Sequence, residues 1–180
     1  MKVEGRLSDL APTVSGVPQG TVLGPVLFLI HIRNLSGNLS QKTQASSCAD
    51  DTRIWRGVRR LEECQELQND LQSVYNWADI INMMFNSDKF EWIRYSLSSE
   101  QAPFYQYLSP DHSSIKQTES LKDLGVMLSS DLSFDLHIEK VVCTASQMVG
   151  WALRTFRNRG SYIMLTVFKS LVQPHLDYCC

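Results

Sequence analysis

The sequence predicts an α+β fold. Short strands and turns alternate with helices over roughly residues 1–130, and an all-helical stretch follows over roughly 131–180. Two long runs with apolar residues at three- and four-residue steps carry this reading, as do the short β-branched and aromatic segments between them. Composition agrees. Of 180 residues, 43% are hydrophobic and 20% charged, the balance of an ordinary globular chain, which excludes wholesale disorder. Lys and Arg number 17 against 19 Asp and Glu, a net charge of -2, so a strongly basic nucleic-acid coat is absent.

The elements follow in order. Val3-Glu4-Gly5-Arg6-Leu7-Ser8 reads as a strand with a turn. After a Gly-rich stretch, residues 22–33 read as a helix, apolar on all sides and therefore expected in a core. Residues 34–44 are polar and loop-like. Residues 45–57 read as two short strands joined by a tight turn at Asp50-Asp51. Leu61, Cys64, Leu67, Leu71, Val74, Ala78 and Ile81 form one face of a long amphipathic helix near 61–84, with Glu62, Glu63, Glu66 and Asp70 outward. The helices near 22–33 and 61–84 should flank a small antiparallel sheet containing the Asp50-Asp51 hairpin.

Residues 90–97, 103–108 and 120–128 have strand composition, around a turn at Pro110-Asp111-His112. Ile138, Val141, Val142, Ala145, Met148, Val149, Ala152, Leu153 and Phe156 define a second strong helix, near 134–157, with Gly160 as its stop. Ile163, Met164, Val167, Phe168, Leu171 and Val172 define a third, near 161–173, ending near Pro174. These two helices should pack as a hairpin that leaves apolar surface uncovered. The final Pro174-His175-Leu176-Asp177-Tyr178-Cys179-Cys180 has no polar tail, which reads as a truncated frame.

The five cysteines, Cys48, Cys64, Cys143, Cys179 and Cys180, are odd in number and contain no C-x-x-C pair. Neither a disulfide framework nor a zinc finger is indicated, and reduced thiols inside a cell are the simpler expectation. The first ten residues lack the apolar core of a secretory signal. The longest apolar run, 22–32, is too short to span a bilayer. The expected setting is therefore intracellular, cytoplasm or nucleus, with no membrane partner. His31, His112, His137 and His175 have no ligand spacing and read as core or surface residues.

Two segments can carry chemistry. Ser15-Gly16-Val17-Pro18-Gln19-Gly20-Thr21 precedes Val22-Leu23-Gly24-Pro25. Its glycines and prolines fix a backbone able to approach a ligand, and Gln19 offers a donor and an acceptor to a base edge or sugar; it reads equally as a surface turn before a helix. Cys48-Ala49-Asp50-Asp51-Thr52 places adjacent carboxylates on a hairpin turn. That is either a hard oxygen site for Mg²⁺ or an Asx turn ending a strand. Arg53, Arg56, Arg59 and Arg60 after the hairpin, like Lys140, Arg154, Arg157 and Arg159, suit phosphate contacts or solvated faces.

In this order, the two segments resemble the palm of a reverse transcriptase of the non-LTR, LINE-type or jockey-like, retrotransposon family. Its turn reads S-G-V-P-Q-G-S-V-L-G-P, and Ser15 to Pro25 departs from it at Thr21 alone. Its F-A-D-D-T hairpin matches residues 48–52 except that Cys48 replaces the aromatic. Leu67-Gln68-Asn69-Asp70-Leu71 and Trp77-Ala78 look like the helix after that hairpin. Phe85-Asn86-Ser87-Asp88-Lys89 looks like the N-x-x-K segment, and Leu121-Lys122-Asp123-Leu124-Gly125-Val126 resembles the primer-grip turn. Residues 133–138 and 174–178 look like parts of the thumb. The resemblance covers nearly the whole chain and implies a partial palm over 1–130 and a partial, truncated helical thumb over 131–180.

It also implies an RNA-directed DNA polymerase acting on an RNA template, a DNA primer and dNTPs with Mg²⁺, or Mn²⁺ in its place. Carried over, Asp50 and Asp51 are metal ligands and catalytic residues, and Lys89 acts at the pyrophosphate. Gly16, Pro18, Gln19 and Gly20 line the nucleotide and template side, and Leu124 and Gly125 grip the primer. In the family another aspartate, on a strand upstream of the Gly-rich turn, completes the metal site. Glu4 and Asp9 are the acids before Ser15, and neither has an apolar strand around it. The expectation is a chain inactive on its own, with weak metal binding. Alternatively it is a non-catalytic remnant that binds nucleic acid or protein, or a translated fragment without function. The missing parts of the polymerase should cover its exposed apolar surface.

Overall fold

The computed structural model describes residues 2–3, 6–7, 16, 20–96, 103–157 and 159–178. The chain divides into two compact units, residues 1–85 with 102–105, and residues 86–101 with 106–180. The architecture is α+β. The described strands form separate two-stranded ladders, three antiparallel and one parallel, rather than one small antiparallel sheet.

In the first unit, β1 (Lys2–Val3) pairs antiparallel with β2 (Arg6–Leu7). Helix α1 (Gly24–Ile32) starts where Pro25 fits the first turn, and the Thr21 hydroxyl accepts the Gly24 N–H at 3.0 Å. A 3₁₀ turn (Leu35–Asn38) leads to the hairpin β3 (Gln44–Cys48) and β4 (Asp51–Trp55). Helix α2 (Leu61–Ile80) follows. The Glu63 carboxylate accepts the backbone N–H groups of Arg59 (2.6 Å) and Arg60 (3.0 Å), capping donors the helix leaves unpaired and holding the Glu63 carboxyl below its ordinary value. Asn82, left-handed at φ 54°, ends the helix, and Met83 N–H returns to the Ala78 carbonyl at 2.8 Å.

The core of this unit is Ile32, Leu35, Val74, Trp77 and Ala78, with Phe28, Leu39, Ala45, Ile54, Ile81, Met83 and Phe85 packed against it. So α2 buries the middle of the face its periodicity predicts, Cys64, Val74 and Ala78, while Leu61 at its start stays exposed. Helix α1 does not behave as a fully buried core helix. Its Ile32 is buried, but Val26, Leu27, Leu29 and Ile30 are each about half exposed, and Val22 just before it is 92% exposed.

In the second unit, a 3₁₀ turn (Ser87–Lys89) precedes β5 (Glu91–Ile93), which pairs parallel with β6 (Lys116–Thr118). The turn at 110–112 is present, with Ser113 N–H donating to the Asp111 carboxylate at 3.2 Å and His112 left-handed at φ 61°. Of the strand expected over 103–108, a single bridge remains, Leu108 to Ser114. Hairpin β7 (Ser120–Asp123) and β8 (Val126–Ser129) lead to α3 (Asp135–Thr155). Gly160 is not the stop of α3. It is the N-cap of α4 (Ser161–Val167), with extended backbone at φ -55°, ψ 140°.

The last helix does not end near Pro174. It widens into a π segment (Phe168–Val172) and continues as α5 (Gln173–Asp177), which packs on α3. Proline lacks an N–H and its ring crowds the carbonyl four residues back, and a widened turn accommodates both. The helices leave Ile138, Val142, Trp151, Leu153, Tyr162 and Leu165 exposed, as the sequence predicts.

Candidate active-site hairpin

The β3–β4 register pairs Cys48 with Asp51, Ser47 with Thr52, Ser46 with Arg53, Ala45 with Ile54 and Gln44 with Trp55. Ala49 and Asp50 are therefore the whole connection, so the turn lies one residue earlier than the Asp50-Asp51 turn the sequence predicts, with Asp51 already paired to Cys48 in β4. Ala49 takes the left-handed conformation, φ 54°, that a tight hairpin demands at its first central residue. Facing residues share a side of the ribbon. One side carries Ala45 and Ile54, which reach the core, and the Ser47–Thr52 hydroxyl pair at 2.9 Å. The other side carries Cys48, Asp51, Arg53 and Trp55. Asp50 stands in the turn, Asp51 opens β4, and both are exposed. The apex thus presents two adjacent carboxylates to solvent.

At the base of the same hairpin lies a buried polar cluster that the sequence reading misses. Thr43 immediately precedes β3 and Arg56 immediately follows β4. Both converge on Asp70 in the middle of α2, which is only 7% exposed and not outward-facing as its place among the charged positions implies. Asp70 Oδ1 accepts the Ser40 N–H at 3.0 Å. Its Oδ2 accepts the hydroxyls of Ser40 (2.7 Å) and Thr43 and faces an Arg56 guanidinium nitrogen at 3.5 Å. That same Arg56 nitrogen donates to Ser40 Oγ at 2.9 Å and Thr43 Oγ1 at 3.1 Å, while the other terminal nitrogen pairs with Glu66. Burial pushes the Asp70 carboxyl up, but the hydroxyls of Thr43 and Ser40, the Ser40 N–H and the Arg56 charge together hold it below its ordinary value. Arg56 is therefore neither a phosphate contact nor part of a solvated face. The available signal was polar residues flanking both ends of a predicted hairpin.

The remaining predicted site residues are placed as follows. Gly16 and Gly20 are exposed and left-handed, at φ 94° and 75°. A β-carbon at either would meet open space, so the dihedral rather than crowding calls for glycine. Pro18 and Gln19 lie outside the described residues. Lys89 is exposed at the end of the 3₁₀ turn that the Asn86 side chain caps through Asp88 N–H, 3.2 Å. Leu124 and Gly125 are the two central residues of the β7–β8 turn, both left-handed at φ 45° and 94°. Asp50, Asp51 and the Gly-rich turn belong to the first unit; Lys89, Leu124 and Gly125 belong to the second.

Asp50 and Asp51 suit one hydrated Mg²⁺, a hard cation that keeps several waters when one or two carboxylates hold it. Among the described residues no group of three or more His, Cys, Asp or Glu is arranged to hold a metal ion. No helix among them is long and apolar enough to cross a membrane.

Residues 1–128 match the family model described as reverse transcriptase (RNA-dependent DNA polymerase). The chain is 24% identical over 188 aligned positions to the RNA-directed DNA polymerase from mobile element jockey of Drosophila melanogaster, covering 99% of this chain and 20% of that protein. It is 25% identical to the probable RNA-directed DNA polymerase from transposon X-element of the same fly, over 100% of this chain and 20% of the relative. A jockey polymerase of Drosophila funebris is 25% identical over 97% of this chain and 20% of its own length. The chain thus spans about a fifth of the length of the curated relatives it matches. No solved structure matches it. With the Gly-rich turn and the Asp50–Asp51 hairpin inside the matched residues, the chain belongs to the reverse transcriptase (RNA-dependent DNA polymerase) family.

Proposed function

We propose that this chain is the part of an RNA-directed DNA polymerase palm that carries the Gly-rich turn and the metal-binding hairpin (residues 1–130), followed by part of a helical thumb (131–180). The observation that carries it is the pair Asp50 and Asp51 at the exposed apex of β3–β4, with the opposite side of the ribbon packed on the core. In this reading Asp50 and Asp51 hold Mg²⁺, or Mn²⁺ in its place. When bound, the ion activates a primer 3′-hydroxyl and neutralises triphosphate charge. Gly16, Pro18, Gln19 and Gly20 line the side that meets the dNTP and the RNA template. Lys89 places an ammonium toward the departing pyrophosphate, and the Leu124–Gly125 turn lies against the DNA primer. The free Cys48, Cys64 and Cys143 suit an intracellular setting.

By itself the chain should not catalyse. The reaction needs two ions roughly 3.5–4 Å apart, clamped by carboxylates from more than one strand. Asp50 and Asp51 come from one turn and its adjoining strand residue, and among the described residues no third acidic ligand joins them. The same observation favours, as a second reading, a remnant that binds nucleic acid or a protein partner without catalysis. The test is dNTP incorporation on a primed RNA template with Mg²⁺ or Mn²⁺, by the wild-type chain and by Asp50→Ala. Equal background in both is expected. Clear incorporation by the wild type, abolished in Asp50→Ala, would overturn the inactivity and leave the active-site assignment standing.

A further inference from the structure

The apex carboxylates sit on a two-stranded ribbon, and such a hairpin is marginal in water unless something else holds it. Its hold on the core is slight, with Ala45 and Ile54 alone among its residues packed against that cluster. The stronger tether is at its base. Thr43 at the entry and Arg56 at the exit meet on the same oxygen, Asp70 Oδ2, so a single carboxylate of α2 closes both legs of the ribbon. Ser40 fills the other oxygen through its N–H and adds its hydroxyl to Oδ2. The Arg56 side chain is only 2% exposed. Ionic groups this deep repay little in stability relative to apolar packing, but their directional bonds fix one arrangement.

We propose that Asp70 is a positioning residue: by gripping Thr43 and Arg56 it sets the angle and register at which the β3–β4 hairpin presents Asp50 and Asp51 to a metal ion. The inference rests on the active-site reading above and adds to it a residue with no contact to metal or substrate. Asp70 acts through the hairpin legs. Its loss should weaken metal binding at the apex, while α2 itself persists, because the carboxylate belongs to the tether and not to the apolar face of the helix.

The experiment uses the full chain and Mn²⁺ alone, whose paramagnetism reports binding directly. Binding is measured for the wild type, Asp50→Ala, Asp70→Asn, Thr43→Val and Thr43→Ser, with amide hydrogen exchange followed over residues 44–55. Expected results are loss of the Mn²⁺ site in Asp50→Ala and roughly tenfold or more weaker binding in Asp70→Asn, the scale seen when groups that orient metal ligands are removed. Hairpin amides should exchange faster in Asp70→Asn and Thr43→Val, with helicity retained. Thr43→Ser, which keeps the hydroxyl, should behave as wild type. If Asp70→Asn fails to fold, the Thr43 pair decides: equal behaviour of the Val and Ser variants overturns the proposal. Asp70→Asn that folds, binds Mn²⁺ as the wild type does and exchanges normally also overturns it. Wild-type Mn²⁺ binding unaffected by Asp50→Ala would instead sink the active-site reading. Exchange over 44–55 would then decide the tether, faster exchange supporting it and unchanged exchange overturning it.

Discussion

The phenol of Tyr178 donates a 2.7 Å hydrogen bond to the carbonyl oxygen of Leu124, joining the end of α5 to the β7–β8 turn across 54 residues of sequence. The same ring lies over Gly125, where a β-carbon would come within 2.9 Å of Tyr178 Cε1. Gly125 thus answers two demands, a left-handed backbone and room for the ring. Gly125→Ala should cost about 1–3 kcal/mol, the strain of the dihedral plus the crowding. Tyr178→Phe should cost less, about 0.5–1.5 kcal/mol, for one hydrogen bond at a half-exposed site. Urea denaturation of the single variants and of Gly125→Ala in a Tyr178→Ala background checks this. The double variant should recover the crowding part and retain the dihedral part. A Gly125→Ala variant as stable as the wild type would refute the packing argument.

Ala49 occupies a backbone conformation that costs a residue with a β-carbon about 1 kcal/mol relative to glycine. Ala49→Gly should therefore stabilise the hairpin in the folded state, with part of that gain offset by the freer unfolded chain. The expected net change is a gain of up to about 0.5 kcal/mol, whereas Ala49→Val should lose about 1 kcal/mol or more at the same φ. Thermal unfolding of the three chains gives the order Gly, Ala, Val. A reversed order would mean that the turn is not left-handed in solution.

Acid should loosen the first unit through Asp70. Its carboxyl is held below the ordinary carboxylate value in the folded chain, although burial alone would raise it. A depressed folded pKa means that the stabilisation is complete above the unfolded carboxylate value, near pH 4, and is lost as pH falls through the folded value. The charged groups that face it are Arg56 directly and Glu66 through Arg56. Glu63, Asp111 and Asp131 are held low as well and give a parallel background. Stability measured from pH 7 down to pH 2 should fall more steeply for the wild type than for Asp70→Asn. At neutral pH that variant should be on the order of 3 kcal/mol less stable, because Arg56 stays buried with part of its partner set removed. Parallel pH profiles would rule out a role for Asp70 in acid loosening.

The apolar surface around α1 should be sticky. Val22, Leu23, Val26, Leu27, Leu29 and Ile30, all within residues 22–30, are exposed. Patches of this kind are unusual on a soluble monomer. The chain should bind a hydrophobic dye and self-associate. Leu29→Gln with Ile30→Gln should reduce both, at a stability cost within about 0.5 kcal/mol per site, since neither side chain is in the core. A monodisperse wild-type chain that ignores the dye would contradict this.

The sequence by itself determined the elements whose causes are local. Spacing of Cys64, Val74 and Ala78 settles α2 and its buried face, and turn chemistry between short β-like segments settles the Asp50 hairpin. It also carried the family, because the motifs at residues 15–25 and 48–52 are contiguous strings. Tertiary structure alone decided what depends on partners distant along the chain. Asp70 falls among the charges of α2 and looks outward until Thr43 and Arg56 arrive from the hairpin legs to satisfy it. Periodicity reports how a segment divides between water and core, but a charged side chain can be buried wherever enough donors converge, and convergence is not a property of the segment. The parallel pairing of β5 with β6, the passage of the last helix through Pro174 and the Tyr178–Gly125 contact are of the same kind. Each is a choice among conformations that are nearly equal locally, and long-range packing supplies the difference.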